Sequence, residues 1–209
     1  MFWWRVVKWY TIPLYKLFQK IHNKYGNLSK ILLPARNPTG RLAPRRHHNF
    51  HVCNQHSNSM GRGKGITTLY DESFELEKDV AKPLYQMTKI ASKSLDIINV
   101  YRSKGANTEN FENDLLELIY LDRHTIILGD FNLCYQKNPS HGIFQILSNL
   151  GFQQQVKYPT HIEGGTIDLV FTLNGNDIYK HEIQQKSQYY TDHDLITIRY
   201  LTLIYNISW

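Results

Sequence analysis

Hydrophobic and polar positions along the chain change their period several times, and each change marks an element. Ser94-Leu95-Asp96-Ile97-Ile98-Asn99-Val100-Tyr101 is rich in β-branched residues and has strand length. Asn107 can cap a helix that places Phe111, Leu115 and Leu118 on one face. Thr125-Ile126-Ile127-Leu128 is a continuous apolar run that stops at Gly129-Asp130, as expected of a strand buried on both faces. Between His141 and Leu150, the residues Ile143, Phe144, Ile146, Leu147 and Leu150 give a second helix a broad apolar face, with Gly151 placed to end it. Strands are expected again at Thr166 to Phe171 and at Ile196 to Tyr205.

Further upstream the pattern is weaker. Gly61-Arg62-Gly63-Lys64-Gly65 precedes the β-prone run Ile66 to Tyr70 and reads as a hairpin turn. It lacks the Lys-Ser/Thr ending of a phosphate-cradling loop and precedes a strand, so nucleotide binding by that route is not expected. From Pro34 to Met60, prolines give way to His, Asn and Ser without apolar periodicity, which reads as a linker. The expected organisation is a poorly ordered leader and linker over residues 1–60 and a folded domain over 61–209. Strands alternating with helices, then strand-rich sequence, imply a layered α/β protein with mixed sheets.

Charge divides the chain at nearly the same place. Residues 1 to 70 hold 12 of the 24 Lys and Arg and no Asp or Glu, whereas the remainder sets 12 basic residues against all 18 acids. The net +6 is therefore a property of neither half. An acid-free basic leader containing aromatics could bind nucleic acid or anionic lipid through counterion release. Its opening run, Met1 to Tyr10, is interrupted by Arg5 and Lys8 and falls short of the roughly 20 residues of a membrane span. No integral membrane segment is expected, and an interfacial helix or an organelle presequence is the next reading. Cys53 and Cys134 alone give no disulfide framework, which favours an intracellular setting. His47, His48, His51, Cys53 and His56 lack the paired spacing of a zinc finger and read as a histidine-rich linker.

Three places put acids or histidine at the ends of apolar strands: Asp130 with Asn132, Asp168, and Asp192-His193-Asp194. Each alone fits a turn or a solvated surface. If the strand ends converge, they supply carboxylate, amide and imidazole groups. Phosphodiester hydrolysis needs such groups to place a hard cation, position a water and stabilise charge on phosphoryl oxygens. An Asp beside a His would also orient the ring and favour its charged form, and Asp168 with His193 could be that pair.

In order and context, Gly129-Asp130-Phe131-Asn132, Tyr158-Pro159-Thr160-His161, Gly165-Thr166-Ile167-Asp168-Leu169-Val170 and Thr191-Asp192-His193 resemble the later motif set of the endonuclease/exonuclease/phosphatase superfamily. Asn99-Val100-Tyr101-Arg102 and the glycine-rich hairpin resemble elements of its mobile-element endonucleases, and the likeness spans roughly residues 61 to 202. It implies a DNase I-like α/β/β/α sandwich, incomplete at its N-terminal side, that acts as a Mg²⁺- or Mn²⁺-dependent DNA endonuclease. Nucleic acid, most naturally DNA, is the implied partner and the nucleus the implied compartment.

By the same resemblance Asp130 and Asn132 would align the attacking water and contact the phosphate. Asp168 would orient His193, His193 would stabilise or protonate a phosphoryl oxygen, and Asp192 would help bind the metal. Tyr101 would face the phosphate, with Arg102 and Thr166 as substrate contacts. Relatives also carry a metal-binding Glu ahead of the glycine-rich hairpin, and here no acid precedes Asp71. Impaired catalysis is therefore expected. The alternative is a non-catalytic nucleic-acid-binding protein that uses the basic leader. Other branches of the superfamily, which hydrolyse phosphoinositides, sphingomyelin or messenger-RNA tails, fit the Tyr-Arg and Thr-x-Asp contexts less well.

Overall fold

The computed structural model describes residues 4–7, 50–55, 66–173, 179–186 and 192–202. Its centre is a six-stranded mixed sheet in the order β4 (Glu75–Lys82), β5 (Tyr85–Ala91), β6 (Leu95–Arg102), β7 (His124–Asp130), β9 (Asp168–Leu173) and β8 (Phe152–Gln154). Only β6 and β7 run parallel. A parallel pair needs a crossover, supplied here by α1 (Thr108–Leu116). Helix α2 (Gly142–Asn149) follows β7. A three-stranded sheet in the order β1 (Trp4–Val7), β11 (Leu195–Thr202), β10 (Tyr179–Lys186) and a hairpin of β2 (Phe50–Gln55) with β3 (Ile66–Asp71) complete the described elements. The chain thus forms the layered α/β protein anticipated from the pattern, with the paired sheets that the resemblance implied.

Side-chain alternation sorts the central sheet into two faces, and each face has its own core. On one face Met87, Ile98, Val100, Ile127, Leu169 and Phe171 pack under Phe111 and Leu115 of α1 and Ile143, Phe144 and Leu147 of α2. On the other, Ile90, Ile97, Leu128 and Val170 meet Ile196 and Ile198 of β11. Each such buried side chain contributes about 1.5–3 kcal/mol, so the two cores fix which residues point which way. Near the sheet's other end, the buried Lys89 ammonium lies 3.1 Å from Glu77 and 2.9 Å from Asp96, with the Tyr120 ring against it.

Both helices form as their sequence signals require. The Asn107 side chain accepts from Asn110 N, and the His141 ring accepts from Ile143 N at 3.3 Å. Gly151, past the end of α2, takes φ +87°, a left-handed value glycine adopts without strain.

Several elements differ from the expectation. Phe50–Gln55 lies within the stretch read as linker and Trp4–Val7 within the leader, yet both are strands. The polar composition of residues 51–55 hides a strand from any hydrophobic pattern. Its hydrogen bonds come from β3, whose Ile66 and Thr68 are buried. The Gly61 to Gly65 turn, the histidines at 47, 48 and 56, and residues 34 to 49 lie outside the described residues. Strands β4 and β5 carried no signal either, because β4 is an exposed edge and β5 buries Gln86, Thr88 and Lys89. Strand β9 starts two residues later than expected, since the Thr166 and Ile167 carbonyls accept from Tyr135 N and Phe131 N outside the ladder.

Two outcomes follow for stability. A Cβ at Gly129, where φ is +141°, would sit 1.9 Å from the Val100 carbonyl oxygen, so Gly129→Ala should lose about 3 kcal/mol or more in urea unfolding. Burial, and secondarily Arg102, hold the His141 pKa below its ordinary 6.5, with Glu112 opposing them. The unfolded state therefore takes up the proton first, and stability falls as pH drops from about 6.5. His141→Asn, which keeps an N-cap acceptor, should show a smaller loss of urea midpoint between pH 7 and pH 5.

Candidate active site at the converging strand ends

The C-terminal end of β7 lies between β6 and β9, and this places three carriers of chemistry together. In register, Asp130 stands beside Tyr101 of β6 and Asp168 of β9. The close approach at Gly129 makes that register possible, because the Val100 carbonyl occupies the space of any side chain.

Beyond β7 the chain turns sharply. Asn132 adopts φ +48°, which Asn tolerates better than most residues. Its backbone N donates to Asp130 Oδ1 at 2.9 Å, and its side-chain Nδ2 donates to the Arg102 carbonyl at 2.8 Å and to Asp130 Oδ2 at 3.2 Å. Asp130 and Asn132 are therefore one rigid unit. Both of its oxygen-bearing side chains are only half-buried.

Histidine arrives from the other sheet. Just before β11, His193 Nδ1 lies 2.8 Å from Asp168 Oδ2, with Asp168 only 3% exposed. A carboxylate on Nδ1 fixes the ring and its tautomer and leaves the lone pair of the neutral imidazole on Nε2. Donor atoms of Asp130, Asp168 and His193 all lie within 4.8 Å of one another.

The loop from Pro159 to Gly165 holds this arrangement from outside. Asp194 N donates to the Thr160 carbonyl and Ile162 N to the Asp192 carbonyl, each at 2.8 Å, so His161 and His193 form a β-bridge. Their rings meet edge to face at 4.9 Å. His161 Nε2 is 3.3 Å from Asp192 Oδ2, and His193 Nε2 is 4.0 Å from Asp192 Oδ1. Burial works against the charged form of Asp192, but its backbone amide, His193 and His161 outweigh that and hold its pKa below the ordinary value. Asp192 remains an anion, 57% exposed.

Of the residues expected at the site, Asp130, Asn132, Asp168, Asp192 and His193 converge. Tyr101 joins them at the β6 edge, where burial and then the Asp130 charge raise its phenol pKa. Arg102 and Thr166 do not. Arg102 follows Tyr101 along a strand, so it points to the opposite face, where it is 4% exposed and donates to the Ala106 carbonyl over Phe111. Thr166 is fully buried, its hydroxyl without a hydrogen-bond partner. The geometry corrects these two as substrate contacts.

Two residues escaped the sequence reading. Thr160 is fully buried, and its hydroxyl accepts from Ile167 N at 3.2 Å and Asp168 N at 3.0 Å, fixing the start of β9. His161 lies against both Asp192 and His193. Both sit in the Tyr158-Pro159-Thr160-His161 motif, but nothing in their spacing marks a buried hydroxyl as a clamp.

As for a metal, a Mg²⁺ ion keeps most of its waters and needs one or two carboxylates plus substrate phosphate. Asp192 is an exposed carboxylate of that kind, and the half-buried Asp130 stands with Asp168 and His193. No further carboxylate is available from residues 1 to 70. The residues fit a cation held loosely by protein and substrate together.

Two packed sheets with Asp-x-Asn, a buried Asp and Asp-His at converging strand ends form the arrangement that the motif order implied. The fold is DNase I-like. Residues 95–197 match the family model described as Endonuclease-reverse transcriptase. Among solved structures, the endonuclease domain of TRAS1, a telomere-specific non-LTR retrotransposon, is similar at TM-score 0.54 and 14% identity, covering 74% of this chain and 80% of that one. CdtB, the biologically active subunit of cytolethal distending toxin, gives TM-score 0.49 and 12% identity over 71% and 66%. An endonuclease/exonuclease/phosphatase family protein from Leptotrichia buccalis gives 0.46 and 13% over 74% and 72%. No curated protein matches the sequence.

The clamp at Thr160 is testable. Thr160→Val keeps the shape but leaves the buried Asp168 amide and the half-buried Ile167 amide without an acceptor, and should cost about 2 kcal/mol in urea unfolding. Thr160→Ser should recover most of that loss.

Proposed function

We propose that this chain is a divalent-metal-dependent phosphodiester hydrolase that nicks nucleic acid, DNA before RNA, with low turnover. The observation that carries the reading is the convergence of Asp130, Asp168 and His193 within 4.8 Å beside the Asp130–Asn132 turn. A likeness to a retrotransposon endonuclease domain supports nucleic acid as the substrate class.

In this mechanism Asp130 orients the attacking water and accepts its proton, and the Asn132 amide contacts the phosphate. A new P–O bond forms as the bond to the departing oxygen breaks, and that oxygen takes a proton from solvent as it leaves. His193, held through Nδ1 by Asp168, donates from a protonated Nε2 to a phosphoryl oxygen. Tyr101 borders the same oxygens as a neutral hydroxyl donor, its ionisation opposed by burial and by Asp130. A divalent cation at Asp192, when bound, would neutralise phosphoryl charge. Low turnover follows from the shortage of carboxylates, since residues 1 to 70 offer none.

Supercoiled plasmid tests the reading. Slow nicking is expected in Mg²⁺ or Mn²⁺, absent in EDTA and reduced about 100-fold or more by Asp130→Ala and by His193→Ala. No nicking by folded protein in either metal, or nicking indifferent to Asp130→Ala, would count against it.

The split in charge favours a second reading, a non-catalytic nucleic-acid-binding protein that works through its basic leader. Each phosphate contact contributes about 0.9 to the slope of log affinity against log salt, so replacing Arg41, Arg45 and Arg46 by Ala should lower that slope by about 2.7. An unchanged slope would remove the leader from the binding surface.

A further inference from the structure

His161 has no part in the mechanism above, yet it is placed against the exposed Asp192 carboxylate and the His193 ring. His161, Asp192 and His193 present one donor atom each within 4.8 Å of one another. Two imidazoles and one carboxylate are a poor set for Mg²⁺, which prefers oxygen, and a good one for Zn²⁺ or Co²⁺.

The distances are close to what such an ion needs. Bonds of about 2.1 Å in tetrahedral geometry separate donors by about 3.4 Å. Here His161 Nε2 and Asp192 Oδ2 are 3.3 Å apart, and His193 Nε2 and Asp192 Oδ1 are 4.0 Å apart. The exposed Asp192 side chain can close the remaining gap without disturbing the core.

Backbone and supporting groups are already in place. The isolated β-bridge between His161 and His193 holds the two residues opposite each other on neighbouring loop segments. Asp168 on His193 Nδ1 is the carboxylate that orients a metal-binding imidazole and leaves Nε2 as the ligand. At His161 the Nδ1 atom accepts from Glu163 N at 3.2 Å, so the ring proton sits on Nε2, facing Asp192. Ligation through Nε2 requires the ring proton to sit on Nδ1 instead, which gives up the bond from Glu163 N and leaves Nδ1–H to donate to the exposed Glu163 carboxylate once that side chain closes from 4.0 Å.

We infer that His161, Asp192 and His193 form a three-ligand site for a borderline transition ion, Zn²⁺ foremost, with the fourth position open to water or to a phosphate oxygen. The ion would take the Nε2 lone pair of His193, the atom the hydrolytic reading requires. Zn²⁺ therefore acts as an inhibitor competing with the phosphodiester. That consequence rests on the proposed hydrolase function, whereas the binding site itself does not.

Co²⁺ titration of the full chain reads the site without any assay of hydrolysis. The intense visible absorption of four-coordinate Co²⁺ should appear in the wild type, be displaced by one equivalent of Zn²⁺ and resist a large excess of Mg²⁺. His161→Ala and Asp192→Asn should each weaken Co²⁺ binding by about ten-fold or more, with circular dichroism confirming that both variants are folded. Absence of the bands would overturn the proposal. So would bands of equal affinity in both variants, which would put the ion elsewhere, for example on the histidines at 47, 48, 51 and 56.

Discussion

The site depends on how closely the end of β7 runs against β6. At Gly129 the Val100 carbonyl lies where a side chain would begin, and only hydrogen fits. This contact brings Asp130 level with Tyr101 on one side and Asp168 on the other, and it carries Asn132 under the Arg102 carbonyl. A wider spacing would release all three relations at once. The glycine of the Gly-Asp-Phe-Asn motif is thus a packing requirement, and the following residues inherit their positions from it.

A second constraint comes from the other sheet. His193 reaches Asp168 because Ile196 and Ile198 of β11 are buried against Ile97, Leu128 and Val170, which sets the distance between the two layers. The loop carrying Thr160 then ties both strands together, with hydrogen bonds to the backbone of Asp168 on one side and Asp194 on the other. Hydrophobic burial supplies the energy that holds the layers, while a few directional bonds choose the final geometry. The polar residues converge where the cores end, so they keep access to solvent.

Much of this was legible in the sequence. The apolar run at Thr125–Leu128 declared a buried strand, and its abrupt end at Gly129-Asp130 declared where polar chemistry would emerge. The helix cap at Asn107, the glycine that ends α2 and the apolar face of α2 were equally plain. The rest was hidden for physical reasons. Strand β5 buries Gln86, Thr88 and Lys89, a composition that mimics a surface, and β2 owes its pairing to β3. Period-two alternation could have warned that Tyr101 and Arg102 cannot both face the phosphate. Thr160 and His161 could not have been singled out, because their roles arise only when the loop meets the residues before β11.

Asp168 on Nδ1 of His193 leaves Nε2 as the ring atom that faces the site. Long-range ¹H–¹⁵N NMR of the imidazole rings, with His193 assigned through His193→Gln, reads this directly. The expected result is Nδ1–H for His193 at neutral pH when the ring is neutral, and a shift confined largely to its Nε2 on adding a thymidine dinucleotide with Mg²⁺. An Nε2–H tautomer, or a His193 ring that ignores the dinucleotide while signals elsewhere respond, would contradict it.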